Sequence, residues 1–207
     1  MAKKWLLAGM VCLGLCLVLS NGVFSAEKKK EKKKKIPKVF MVTDFNIDER
    51  LNNLEGGFGA WNKDEDDPAQ FCVESFNDQV RVGNKGYSIQ LDYSVDSPRD
   101  AYNGFWMKLL GFDATPYKAI AFQLKGDKEK GYTTKFKIEL KNPQQKQNGR
   151  FYVTGVTDDW QDIVVPFESF RGIKDFSYLS EFVVVFEDRM ATKKKGRIYI
   201  DDVRFLK

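Results

Sequence analysis

The stretch Tyr87-Ser88-Ile89-Gln90-Leu91-Asp92-Tyr93-Ser94-Val95 alternates apolar and polar side chains over nine positions. A period of two sends successive side chains to opposite faces of an extended chain. The segment therefore reads as a strand with one buried and one wet face. Outward from it, segments rich in β-branched and aromatic residues read the same way: 39–45, 103–110, 118–125, 132–141, 150–157, 160–167, 181–187 and 197–205. Turn signals punctuate them at Gly83-Asn84-Lys85-Gly86, Ser97-Pro98-Arg99-Asp100, Gly126-Asp127, Asn142-Pro143 and Asn148-Gly149. No segment sustains the apolar stripe of a helix, although 168–180 has room for one turn. Nine or ten short strands with such punctuation predict one all-β domain over residues 39–207, a sandwich or a barrel.

The N-terminal end has a different character. Lys3 and Lys4 precede an uncharged apolar run from Trp5 to Leu19, which small and polar residues then break. This is the layout of a secretory signal peptide, with cleavage expected after Ser25. The run is short for a membrane span, which needs about 20 residues, so no transmembrane span is expected after cleavage. Retention of the segment as an uncleaved anchor is the alternative. The expected location is outside the cytoplasm, periplasmic or extracellular. Cys72 would then be the one mature cysteine, since Cys12 and Cys16 leave with the leader. A lone thiol forms no internal disulfide, so stability must come from a core.

The net charge of +5 is concentrated in a tail. Residues 27–38 hold eight lysines and two glutamates; without them and the leader, 24 basic residues face 27 acidic ones. Residues 26–38 read as a Lys-rich linker kept extended by self-repulsion. It acts either as a plain spacer or as a tether to an anionic surface. The mildly acidic domain carries no sign of specific nucleic-acid recognition.

Histidine is absent from the chain. That removes Ser-His-Asp hydrolysis and histidine-ligated zinc, and Cys72 lacks the partner a thiol nucleophile uses. No phosphate-binding loop, dinucleotide fingerprint or nucleophile elbow occurs. Binding is expected, not catalysis; a small hydrolase working through a pair of carboxylates is the third reading, whose test is a spatial separation. With 14% aromatic residues, the chain has rings to spare for stacking on the apolar faces of sugars. Trp61, in the glycine-rich stretch Gly56–Asn62, reads as a loop-borne ring. Tyr102 and Tyr152, beside Asn103 and Arg150, complete the candidate ligand set, while Trp160 is assigned to packing. Of each pair Phe105/Trp106 and Phe151/Tyr152, one member goes to the core and one outward. Asp44 and Asn46 are placed on one face of the first strand, and Asp201 and Asp202 in the last. First and last strands are often neighbours, so these oxygens either converge as calcium ligands or satisfy turn amides. The acidic group Asp64–Asp67 reads as a solvated loop.

Five phrases in order resemble the galactose-binding-domain-like jelly rolls: Asp44-Phe45, Asn53–Gly57, Gly111–Phe122 running into Lys125-Gly126-Asp127, Trp160–Phe170, and Ile198–Phe205. That superfamily includes carbohydrate-binding modules, family eleven among them, and the domain of complex I intermediate-associated proteins. The resemblance implies a jelly-roll β-sandwich of two antiparallel sheets that binds a glycan or polysaccharide. It also implies a structural calcium held by Asp44, Asn46, Asn84 (or Lys85) through a carbonyl, and Asp201. Asn46 departs from the acid that many relatives carry there, and no catalytic domain accompanies the module in this chain. The second expectation is an envelope structural or assembly protein that uses the same sandwich to bind a protein partner.

Overall fold

A computed structural model describes residues 36–47 and 49–207. The expected signal peptide (1–25) and the Lys-rich segment up to residue 35 lie outside the described residues. Eleven strands run in the order β1 (Val39–Thr43), β2 (Phe58–Asn62), β3 (Gln70–Asn77), β4 (Ser88–Val95), β5 (Tyr102–Phe112), β6 (Ala119–Gly126), β7 (Lys135–Asn142), β8 (Gln147–Thr154), β9 (Gln161–Pro166), β10 (Leu179–Glu187) and β11 (Lys195–Leu206). One 3₁₀ turn, Phe167–Ser169, follows β9. Every pairing is antiparallel. One sheet runs β3-β4-β11-β6-β9, with β1 also on β11; the other runs β2-β5-β10-β7-β8. The fold is the expected all-β jelly-roll sandwich.

Alternation builds the core. Ile89, Leu91, Tyr93 and Val95 of β4 face Phe105, Met107 and Leu109 of β5 and Phe182, Val184 and Phe186 of β10 across the space between the sheets. Aromatic contacts join the two layers: Tyr93 stacks on Phe186 with centroids 4.0 Å apart, and Phe122 meets Phe182 at 5.7 Å. The buried Tyr93 hydroxyl accepts from the Thr133 amide and donates to the Lys193 carbonyl, so its polar end is satisfied. Cys72 lies buried in this core as a small apolar residue, and burial pushes its thiol pKa up.

Several sequence expectations need correction. β2 and β3 were not foreseen. β2 (FGAWN) is too rich in small residues to alternate. In β3 the phase is inverted, with Val73 55% exposed while Gln70 and Cys72 turn inward. Asn148-Gly149 is not a turn but part of β8; the chain reverses before it, at Pro143–Lys146. Trp160 is not a core residue: β9 sends Ile163 and Val165 inward, and the half-exposed indole stands just before that strand. Asp67 is buried, in contrast to a solvated loop, because its carboxylate is tied to Gln70, Ser97 and Arg99. Asp44 and Asn46 lie beyond the end of β1, in a turn where Asp44 Oδ1 accepts the Asn46 amide at 3.2 Å.

Candidate functional site

The outer face of the β2-β5-β10-β7-β8 sheet is set by the same alternation that fills the core. Register places Trp61, Gly104, Val185, Lys137 and Tyr152 side by side across all five strands. The adjacent row is Gly59, Trp106, Val183, Glu139 and Arg150, and the next is Lys108, Glu181, Lys141 and Asn148. Small residues at Gly59, Gly104, Val183 and Val185 keep the middle low, while Trp61 and Trp106 stand over it. The result is an open groove of about 440 Å³ lined by Trp61, Tyr102, Trp106, Lys137, Glu139 and Glu181 among others.

All four ligand residues expected from sequence project from this face. Trp61 sits in β2 and not in a loop; its ring meets Tyr102 edge-on with centroids 5.8 Å apart. Tyr102 and Tyr152, 42% and 40% exposed, together line an adjoining hollow of about 330 Å³ with Glu187 and Arg189. Arg150 and Tyr152 stand at the β8 edge. The groove residues that sequence reasoning missed are Trp106, Lys108, Lys137, Glu139, Lys141 and Glu181. The phase of β5 carried a signal for two of them: with Phe105, Met107 and Leu109 inward, Trp106 and Lys108 must face out.

The floor is an ordered array of charge. Lys108 and Lys141 both bind Glu181, the latter at 2.9 Å. Lys137 bridges Glu139 at 3.0 Å and Glu187 at 2.8 Å. Asn148 donates to Glu139 at 3.1 Å, and the Tyr152 hydroxyl donates to Glu187 at 3.3 Å. Partial burial pulls the Glu181 pKa up, but its two lysines outweigh that and hold it below the ordinary value. Burial likewise opposes the charge on Lys137, and its two glutamates overcome it, raising the pKa. Glu181 and Lys137 are thus both biased toward their charged forms, and the floor sets ammonium donors beside carboxylate acceptors. Lys108 and Lys135 also lie over the Trp106 and Tyr152 rings at 5.3 and 5.4 Å.

The oxygens expected to hold a cation occupy the opposite sheet, where β11 changes neighbour. Its first half pairs with β4 and its last residues with β1, and the register shifts at Asp201–Arg204. Asp201 is 2% exposed and forms no ion pair among the described residues; its two oxygens accept the Val82 and Asp202 amides at 2.9 and 2.8 Å. Burial, with the charges of Asp202 and Asp44 adding to it, pushes the Asp201 carboxyl up to about 7. Phe45 (φ 46°) and Asp202 (φ 48°), both left-handed, flank these carboxylates. The Phe45 carbonyl accepts the Tyr87 amide at 3.0 Å. A β-carbon on Gly86 would overlap Asn46, so only glycine lets this loop approach so closely. The Asn84 carbonyl accepts from the Arg81 guanidinium at 2.8 Å. Among the described residues, no three acidic or thiol side chains converge as a ready-made metal group. What gathers here is a buried carboxyl group without an ion-pair partner among the described residues, close enough to two further acids, Asp202 and Asp44, to feel their charge.

Comparison with known proteins places this geometry in a family. The model of the carbohydrate binding domain (family 11) matches residues 34–179. The chain belongs to that family, a class of non-catalytic glycan-binding modules. No curated protein matches the sequence. Among solved structures, the family 11 module of the cellulosomal cellulase Lic26A-Cel5E of Clostridium thermocellum is similar at a TM-score of 0.62 and 15% identity, over 83% of this chain and 96% of that one. The Clostridium thermocellum family 11 module in complex with a β-1,3-1,4-mixed-linked tetrasaccharide gives 0.61 and 16%, over 81% and 95%. An exo-β-agarase gives 0.58 and 10%, over 80% of this chain but only 25% of its own. At such identities the likeness shows a shared fold.

Proposed function

We propose that this protein is an exported, non-catalytic polysaccharide-binding protein whose ligand lies along the β2-β5-β10-β7-β8 face. One observation carries the reading: Trp61, Tyr102 and Trp106 border a groove whose floor alternates fixed lysines and glutamates. Rings stack on the apolar faces of sugar units, and the ammonium and carboxylate groups take their hydroxyls as acceptors and donors. The floor already satisfies its own charges, so it is preorganised before a ligand arrives. The structural neighbour solved with a β-1,3-1,4-mixed-linked tetrasaccharide makes that oligosaccharide the first ligand to try. Affinity electrophoresis against a polysaccharide panel is the test: retardation by at least one glycan, abolished by Trp106→Ala, is expected. Uniform mobility on every glycan would overturn the reading.

Calcium held by Asp44, Asn46, Asn84 and Asp201 is part of the same proposal, with a structural role. Its support is the buried Asp201 carboxyl, which has no cationic partner among the described residues and whose pKa is driven up by burial and by neighbouring acids. Export rests on the basic, apolar and small-polar order of residues 1–26, and is checked by sequencing the N-terminus of protein recovered outside the cytoplasm. The eight lysines of residues 27–38 support a tether to anionic surfaces. Retention on such a matrix should then be salt-sensitive and should disappear on deletion of residues 27–35.

A further inference from the structure

At the β8 edge of the groove, Arg150 and Arg171 form an isolated antiparallel bridge. Each amide donates to the other's carbonyl, at 2.8 and 2.9 Å. Two residues paired in this way have Cα atoms about 5.5 Å apart and side chains on one side of the pair. Like charges set directly opposite are destabilising, so two guanidinium groups here call for a compensating anion. The described residues supply none. Both side chains are exposed, and neither forms an ion pair or a side-chain hydrogen bond among the described residues. Glu139 stands opposite Arg150 across β7 and β8, but its oxygens are taken by Lys137 and Asn148. Glu187 is likewise held by Lys137 and the Tyr152 hydroxyl. The three lysines and three glutamates of the floor balance one another, which leaves the two arginines as uncompensated positive charge at one end of the groove. With Tyr152 and Ser169 they line a hollow of about 540 Å³.

We propose that this hollow grips an anionic substituent of the bound polysaccharide, a carboxylate or a sulfate ester, through Arg150 and Arg171. This assignment rests on the glycan reading of the groove and adds to it the chemical class of the ligand. A guanidinium fork matches two oxygens of such a group at once, and a neighbouring ring orients the sugar that bears it. Neutral sugars would still bind the aromatic and Lys/Glu part of the groove, but without this contact.

The test pairs neutral polysaccharides, mixed-linked β-glucan among them, with their carboxylated and sulfated derivatives, and measures affinity by calorimetry at low and high salt. Wild type, Arg150→Gln/Arg171→Gln and Trp106→Ala all carry the same Lys-rich tail, so its contribution cancels. The expected result is about tenfold tighter binding of one derivative by the wild type, weakening with salt. The double variant should lose about tenfold of that preference relative to the wild type, keeping only what the shared tail contributes, and still bind the neutral parent, which also shows that it is folded. Preference for the carboxylated or for the sulfated form identifies the group. Equal affinity for neutral and anionic forms overturns the inference, as does a preference that the double substitution leaves undiminished; both leave the glycan reading standing. Binding of no polysaccharide at all, neutral or anionic, overturns the glycan reading and this inference with it.

Discussion

The Trp106 indole lies across Gly59 of the neighbouring strand: a β-carbon at position 59 would stand 3.2 Å from its Cζ2 and 3.4 Å from its Cε2. A glycine in β2 thus makes room for a ring carried by β5, and the two residues together set the wall of the groove. Gly59→Val should push the ring off its seat and weaken glycan binding by about tenfold, with a smaller loss of stability. Trp106→Ala should cost about 2 kcal/mol of binding, roughly 30-fold, as the loss of a central aromatic anchor does. Calorimetry of both variants checks this. Full affinity in Gly59→Val would show that the ring's seat is immaterial.

Glu181 is shared by Lys108 and Lys141. Glu181→Gln should free both ammonium groups and blur the groove floor, lowering affinity severalfold. Because the cluster is half-exposed, stability should change by less than about 1 kcal/mol. Denaturant melts alongside binding isotherms separate the two effects. A large loss of stability with intact binding would mean that the network serves the sheet and not the ligand.

Asp67 is held at about 2, first by the Ser97 hydroxyl, then by the Gln70 side chain and the Ala69 amide, with burial pulling the other way and Arg99 adding a little. A depressed pKa means that the folded state prefers the ionised form. The stabilisation is therefore complete above the unfolded value near 4 and is lost as the pH falls through about 2. Asp67→Asn should lower the Tm at neutral pH, with the gap to wild type closing between about pH 4 and 2. Ser97→Ala should reproduce part of the loss. A gap that does not depend on pH would assign the effect to packing instead of charge.

A cation bound only by the folded state raises stability in proportion to its occupancy. Calcium in excess should therefore raise the Tm of the wild type by several degrees, and chelation should reverse the shift. Asp201→Asn should show no calcium response. An unmoved wild-type melt would remove calcium from the proposal and leave Asp201 as a buried acid that caps the Val82 and Asp202 amides.

Much of the fold was legible because period-two alternation is imposed by the extended backbone itself. Ile89, Leu91, Tyr93 and Val95 had to share a face whatever the tertiary arrangement. The strands that the pattern does not reveal are those in which this rule is diluted by small residues, as in β2, or inverted at an edge, as in β3, where Val73 faces solvent. The site was half legible. Trp61, Tyr102, Arg150 and Tyr152 were named from residue type, and they do share a face. The Lys/Glu floor was not, since its members come from three strands that are distant in sequence and look like ordinary solvated positions.

By itself the sequence determined the class of the molecule: an all-β chain with a basic tail, without histidine or an internal disulfide in the expected mature part. These properties belong to composition and to local backbone geometry, which neighbours along the chain suffice to fix. Only the tertiary structure decided which aromatic of each pair faces out, and that Glu181 serves two lysines from two other strands. It also decided that Arg150 and Arg171 meet. Strand order and register are settled by the packing of the whole core, a cooperative choice that no single segment encodes. The binding face is the surface left over once that choice has been made.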